Sequence, residues 1–164
     1  MHILLATDAD WIVDEVIAAL GDDDVHFTVC REGRAVAAEV KQQVPDLAIL
    51  DLQIGSMGAM AVTMALRLDE SAGAVDHVKV LILLDRAADI HLARRSGAEG
   101  WLIKPLDALR LRRAADALAA GSRYDEGLPP DATAVEPMVP LADADDAEIE
   151  DQVESTEEEP ATAG

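Results

Sequence analysis

The chain is poor in cysteine, in lysine and in long apolar runs. A single cysteine, Cys30, among 164 residues excludes an internal disulfide, which fits a reducing, cytoplasmic setting. It reads as a small apolar packing residue rather than a reactive thiol. No window is long and apolar enough to span a bilayer, so a membrane partner is not expected. The opening apolar run, Ile3 to Ala6, lacks the basic start of a secretion signal. No glycine-rich loop follows it, which argues against a dinucleotide site. The four histidines, His2, His26, His77 and His91, show no metal-ligand spacing. Basic residues are missing altogether from the last forty positions: Asp125 to Gly164 carries 14 Asp and Glu and no Lys or Arg.

That last absence divides the chain. The formal net charge is -20, yet residues 1–124 hold 19 acids against 13 bases. The excess therefore belongs to the end of the chain. The acidic balance argues against nucleic acid as a partner, because phosphates repel it. The last forty residues are also rich in proline and poor in large apolar side chains, so burial there cannot offset the entropy cost of ordering. The expectation is a folded domain over 1–123 and a disordered acidic tail over 124–164.

Within 1–123, apolar runs of strand length alternate with segments of helical period. His2–Thr7, Val25–Cys30, Leu47–Leu50, Val78–Leu84 and Gly100–Ile103 read as strands. Val13, Val16, Ile17 and Leu20 mark a first helix, with Asp10 as its cap and Gly21 as its end. Val36, Val40 and Val44 mark a second, stopped by Pro45. Met57, Met60, Ala61, Met64 and Leu68 read as the core face of a third. Ile90 and Ala93 belong to a short fourth helix ended by Gly97. Leu111, Ala114, Ala115 and Leu118 form the stripe of the fifth. A βα rhythm repeated five times predicts a doubly wound, five-stranded parallel α/β sheet with helices on both faces. The flavodoxin-like strand order 2-1-3-4-5 is the expected one.

In such sheets the working site lies at the carboxyl ends of the strands, where the order reverses. The groups expected there are Thr7, Asp8 and Asp10 after the first strand, Asp51 after the third, Asp85 after the fourth and Lys104–Pro105 after the fifth. Clustered carboxylates repel, and a hard divalent cation such as Mg²⁺ relieves that repulsion. A carboxylate beside such a cation can attack phosphorus, and a lysine can stabilise the phosphoryl oxygens.

The segments ATDAD, DLAILD and SGAEGWLIKP, and the spacing of Asp8, Asp51 and Lys104, resemble the response-regulator receiver domains of two-component signalling. The resemblance spans roughly residues 2–121. It implies that Asp51 accepts the phosphoryl group and Lys104 binds it. Asp8, Asp51 and the backbone carbonyl of Gln53 would hold Mg²⁺. Trp101 takes the aromatic switch position and Asp85 the other switch position. It further implies a cis Lys104–Pro105 bond and a sensor histidine kinase or phosphotransfer protein as phosphodonor. The end of the chain is too acidic and too poor in apolar residues for a DNA-binding domain, so output is expected through a downstream protein target.

Three positions depart from the family. Thr7 stands where one of two adjacent acids is usual. Ile54 to Ala59 replaces a loop with Pro and Asp-Gly, which predicts a more flexible turn. Asp85 stands where a Ser or Thr normally donates to the phosphoryl group; an ungapped register puts Ile82 there instead. An ionised Asp85 repels a phosphoryl group, and the neighbouring Arg86 is the candidate to compensate. Two rival functions follow. One is an adaptor that keeps the fold and works without phosphorylation. The other is a haloacid dehalogenase-type phosphatase with Asp8 as nucleophile, since LLATDAD also resembles that family's opening motif. Arg94, Arg95, Arg110, Arg112 and Arg113 make the late helices basic and are candidates for a docking face.

Overall fold

The structure is a computed structural model and describes residues 1–127; the expected tail beyond them lies outside the described residues. Strands β1 (His2–Ala6), β2 (His26–Cys30), β3 (Leu47–Asp51), β4 (Val80–Leu84) and β5 (Gly100–Ile103) alternate with helices α1 (Asp10–Leu20), α2 (Gly33–Gln42), α3 (Ala59–Ser71), α4 (Ile90–Ser96) and α5 (Ala108–Ala119). A single 3-10 turn, Ala87–Asp89, leads into α4. A short sixth strand, β6 (Tyr124–Asp125), follows α5. All pairings are parallel and the order is β2-β1-β3-β4-β5-β6.

The five expected strands and their order are present. The correction is the sixth strand, which takes residues 124–127 out of the expected tail and adds them to the folded unit. Tyr124 pairs with Gly100 and Asp125 with Trp101.

The strands are near-continuous apolar runs because both sheet faces are covered. Successive side chains point to opposite faces. Leu4, Leu50, Ile82 and Trp101 pack with Val36, Val40, Val62, Leu66 and Ala93 of α2, α3 and α4. Ile3, Leu5, Ile49, Leu83 and Leu102 pack with Ile12, Val16, Leu111 and Leu118 of α1 and α5. Every residue of β3 and β4 is buried.

The helices correct the sequence reading in three places. In α3 the buried face is Ala59, Val62, Thr63 and Leu66, whereas Met64 is 60% and Leu68 70% exposed. Both faces of this helix carry apolar residues at the same spacing, so periodicity could not choose between them. Thr63 joins the inner face because its hydroxyl donates to the Ala59 carbonyl at 2.8 Å, leaving no unpaired buried polar group. In α1 the buried set is Ile12, Val16 and Ala19, with Ile17 exposed. Asp10 does not cap α1: Ala9 holds the cap position, and Asp10 pairs with Arg31 at 2.7 Å.

Because β1 pairs with both β2 and β3, the strand order reverses between β1 and β3. The carboxyl ends of these two strands thus open a crevice, and the loops after β1, β3, β4 and β5 surround it.

Candidate functional site

Asp51 is the last residue of β3 and only 2% exposed. Burying a carboxylate is costly unless it is paired and hydrogen-bonded. Here the Thr7 hydroxyl donates to Asp51 Oδ2 at 2.9 Å, and Lys104 Nζ donates to Oδ1 at 2.5 Å. Thr7 is fully committed, since its hydroxyl accepts from the Ala9 amide at 3.1 Å and its own amide donates to the Cys30 carbonyl at 3.0 Å. Thr7 thus gives a hydrogen bond to the carboxylate from a place where a second acid would repel it.

Lys104 follows β5 and precedes a cis bond to Pro105, as expected. Its ammonium bridges two carboxylates, reaching Asp85 Oδ1 at 2.9 Å as well as Asp51. Burial by itself would lower the Lys104 pKa. Hydrogen bonds to Asp51 and Asp85, with their charge, outweigh it and hold the pKa above the ordinary lysine value. Lys104 is therefore a cation across the physiological range. Its ammonium also stands 6.0 Å from the centre of the Trp11 ring, on the exposed first turn of α1. The Trp11 contact was not legible in the sequence, where Trp11 lies off the apolar stripe.

Asp85 directly follows β4, whereas Ile82 lies in the middle of that strand and is fully buried. The strand end thus belongs to Asp85. Arg86 acts on it only through its charge, because its guanidinium hydrogen-bonds Asp89, at 3.1 and 3.2 Å. The cation in contact with Asp85 is Lys104.

Asp8 is exposed at the same rim, and its carboxylate faces the turn after β3, 3.5 Å from where a side chain on Gly55 would begin. Gln53 is exposed, and its amide reaches Asp51 Oδ1 only at a long 3.5 Å. The turn itself is pinned rather than loose. Ile54 is buried, the Gly33 amide donates to the Gly55 carbonyl at 3.1 Å, and the Arg34 amide donates to Ser56 Oγ at 3.3 Å. A side chain on Gly33 would start 1.8 Å from the Met57 carbonyl oxygen, so only glycine permits this approach.

Among the described residues, no group of three or more His, Cys, Asp or Glu is arranged to hold a metal ion. The donors at the rim are the carboxylates of Asp8 and Asp51, with Gln53 in the adjoining turn. All-oxygen donors in an incomplete shell suit Mg²⁺, which keeps several waters. Asp8 is open to solvent with no hydrogen bond among the described residues, so the chemistry of the donor set fits. Replacement of one acid by Thr7 makes the set thinner by one charge.

Trp101 is fully buried on β5, and its indole N–H donates to the backbone carbonyl of Glu126 at 2.8 Å. Of the basic residues on the late helices, Arg110 pairs with Glu126, and Arg112 Nε donates to the Ala19 carbonyl at 2.7 Å. Arg110 is thus ion-paired, whereas Arg112 is an exposed charge anchored by a backbone carbonyl.

A buried aspartate at the reversal point of a doubly wound sheet, gripped by a lysine from a Lys-Pro turn, defines a class: phosphoacceptor modules of the receiver type. The chain belongs to that family, matching the response regulator receiver domain over residues 3–116. Among solved structures it is similar to the LuxR-family two-component response regulator of Aurantimonas sp., with 21% identity over 79% of this chain and 90% of that one, at a TM-score of 0.66. It is similar to the receiver domain of NtrX from Brucella abortus, with 22% identity over 73% and 99% of the two chains and a TM-score of 0.63. The chemotaxis response regulator CheY4 of Vibrio cholerae matches at 21% identity over 71% and 97%, also with a TM-score of 0.63. No curated protein matches the chain.

Proposed function

We propose that this receiver domain accepts a phosphoryl group on Asp51 from a sensor histidine kinase or a phosphotransfer protein, and that it signals by protein contact. The observation that carries the reading is the Lys104–Asp51 pair, which puts a permanent cation against a buried carboxylate at the mouth of the crevice. In the transfer, an Asp51 oxygen forms a bond to phosphorus while the phosphorus–nitrogen bond of a phosphohistidine donor breaks, and the imidazole leaves with its proton. Lys104 is held where it can follow the negative charge from carboxylate to phosphoryl oxygens. Thr7 keeps the second Asp51 oxygen hydrogen-bonded throughout. Asp8, Asp51 and the Gln53 carbonyl are the groups that would hold Mg²⁺, whose contribution when bound is to neutralise the converging negative charge.

Asp85 and Trp101 are the proposed switch positions. Asp85 must give up its share of Lys104, or be repelled, when a phosphoryl group arrives. That same contact favours a second reading, an adaptor that works without phosphorylation, because Asp85 competes for the cation that the phosphoryl group needs. The match to the receiver family over residues 3–116 supports the receiver reading over the dehalogenase-type one, which rested on LLATDAD. The acidic balance of the chain supports contact with protein rather than nucleic acid.

The test is intact mass after incubation with acetyl phosphate and Mg²⁺. The expected result is one added phosphoryl group on the wild type and none on Asp51→Asn. No addition to either protein would favour the adaptor.

A further inference from the structure

The edge strand β5 is closed by three residues that sequence reading left in the tail. Tyr124 and Asp125 pair with Gly100 and Trp101, and the Tyr124 amide donates to the Glu99 carbonyl at 3.1 Å. Gly100 makes room for this, since a side chain there would begin 2.9 Å from the Tyr124 carbonyl oxygen.

Glu126 then ends the strap in a socket made wholly of donors. Its carboxylate accepts Arg110 Nε and Nη2, each at 2.6 Å, and the Ile103 amide at 2.6 Å. Its backbone carbonyl accepts the Trp101 indole N–H. A forked guanidinium and a backbone amide aimed at one carboxylate form a specific acceptor for that group.

The socket is built independently of its occupant. The Arg110 guanidinium also donates to the Ile103 carbonyl at 2.7 Å and to the Pro105 carbonyl at 3.0 Å, so it stays aimed when Glu126 leaves. The occupant itself is slight. Besides the Glu126 contacts it has only two residues of strand, a Tyr124 side chain packed at the edge of the core and a long Arg123–Asp125 pair at 3.5 Å, so a longer strand of the same chemistry can replace it. An edge strand with unpaired backbone groups is a template for another extended segment.

We propose that the outer edge of β5, with Trp101, Ile103 and Arg110, is a receptor for an extended acidic peptide that adds as a parallel strand with a glutamate in the Arg110 socket. Tyr124–Glu126 is its resident occupant, and a partner segment of the same chemistry displaces it. The internal segment shows what fits: a backbone strand, then a carboxylate. Being tethered, it competes at high effective concentration, so the wild type is mostly closed to partners. The edge is complete in the unphosphorylated protein, so peptide binding is measured without a phosphodonor.

The probe is a labelled, end-capped peptide with the sequence Ser-Arg-Tyr-Asp-Glu-Gly, that of residues 122–127. Its binding to the full chain is followed by fluorescence anisotropy. Glu126→Gln empties the socket and is expected to bind the peptide at least about tenfold more tightly than the wild type. Adding Arg110→Gln removes that gain, and a peptide with Gln in place of its Glu does not bind. In the wild type, millimolar unlabelled peptide shifts the Trp101 indole and Ile103 amide resonances, a readout that needs no variant. Equal binding of the Glu and Gln peptides, or no gain in Glu126→Gln together with unmoved Trp101 and Ile103 resonances, overturns the proposal.

Discussion

Two clusters of charge sit on this domain, and they are built to opposite ends. One is the corner around Arg67. All five guanidinium N–H groups are used: Nε donates to the Gly97 carbonyl, Nη1 to Glu70 and the Val78 carbonyl, and Nη2 to both oxygens of Glu99, over 2.5–3.0 Å. Glu70 also accepts the Val78 amide, Glu99 accepts the Val80 amide, and His77 lies between the two carboxylates. The other is the rim, where Lys104 faces Asp51 and Asp85, with Asp8 nearby and unpaired among the described residues. The corner is satisfied and ties α3 to β4 and β5. Among the described residues, the rim carries more carboxylates than contacting cations, a balance that an added cation would improve. Satisfied networks give stability, whereas functional sites hold charge that costs stability until a ligand arrives.

The largest expected effect separates the clusters by function. Asp51→Asn abolishes phosphoryl incorporation, whereas Arg67→Met leaves the rate of incorporation unchanged once the protein is folded. Both are read by intact mass over time with acetyl phosphate and Mg²⁺.

Stability should divide the other way. Arg67→Met strands Glu70 and Glu99 in a partly buried corner and is expected to cost about 2–3 kcal/mol, after discounting the buried-pair figure for solvent. Asp85→Ala at the rim is expected to change stability by less than about 1 kcal/mol. Urea unfolding of the two variants reads the contrast, and equal losses would erase the distinction between the clusters.

Acid sharpens it. Burial by itself would raise the Glu70 pKa, but the Val78 amide, His77 and Arg67 outweigh it and hold the pKa below the ordinary value of 4.5. A lowered carboxylate pKa stabilises the fold above that value and loses the contribution as pH falls through the folded pKa. Glu70→Gln should therefore lower the melting temperature at pH 7 and flatten its decline below about pH 4.5, as followed by circular dichroism.

The smallest effect lies within the rim. Replacing Asp85 by Thr frees Lys104 from one carboxylate and supplies a hydroxyl donor. Phosphorylation by acetyl phosphate should then quicken by about threefold to tenfold, equivalent to roughly 1 kcal/mol in the barrier. Trp11, beside Lys104, supplies the fluorescence signal for the rate. An unchanged or slower rate would mean that Asp85 does not compete for the lysine.

The same contrast between closed and open charge explains what could be read from sequence. The strands were legible because a sheet covered on both faces demands continuous apolar runs, as in Val80–Leu84. The α5 stripe of Leu111, Ala114, Ala115 and Leu118 was legible because only one face of that helix is apolar, and all four are buried. The inner face of α3 was not, since the Met60–Met64–Leu68 spacing competes with Ala59–Val62–Leu66. Asp51 and Lys104 announced themselves by standing at strand ends, and the structure brings them into contact. Asp85 was read at the end of the fourth strand and directly follows β4, but nothing local indicated that it shares Lys104. β6 was illegible for a different reason. Two residues carry no period, and the group that seats them, Arg110, lies sixteen positions before Glu126 on a helix whose arginines read as surface charge.

The account rests on Asp51 as the group that becomes phosphorylated. Borohydride reduces an acyl phosphate to an alcohol, so treating the phosphorylated protein and sequencing its peptides by mass spectrometry marks the acceptor directly. Conversion of residue 51 to homoserine, and of no other aspartate, is the predicted result. Conversion at Asp8 or Asp85 with residue 51 intact, or at no aspartate in protein that has gained a phosphoryl group, would contradict it.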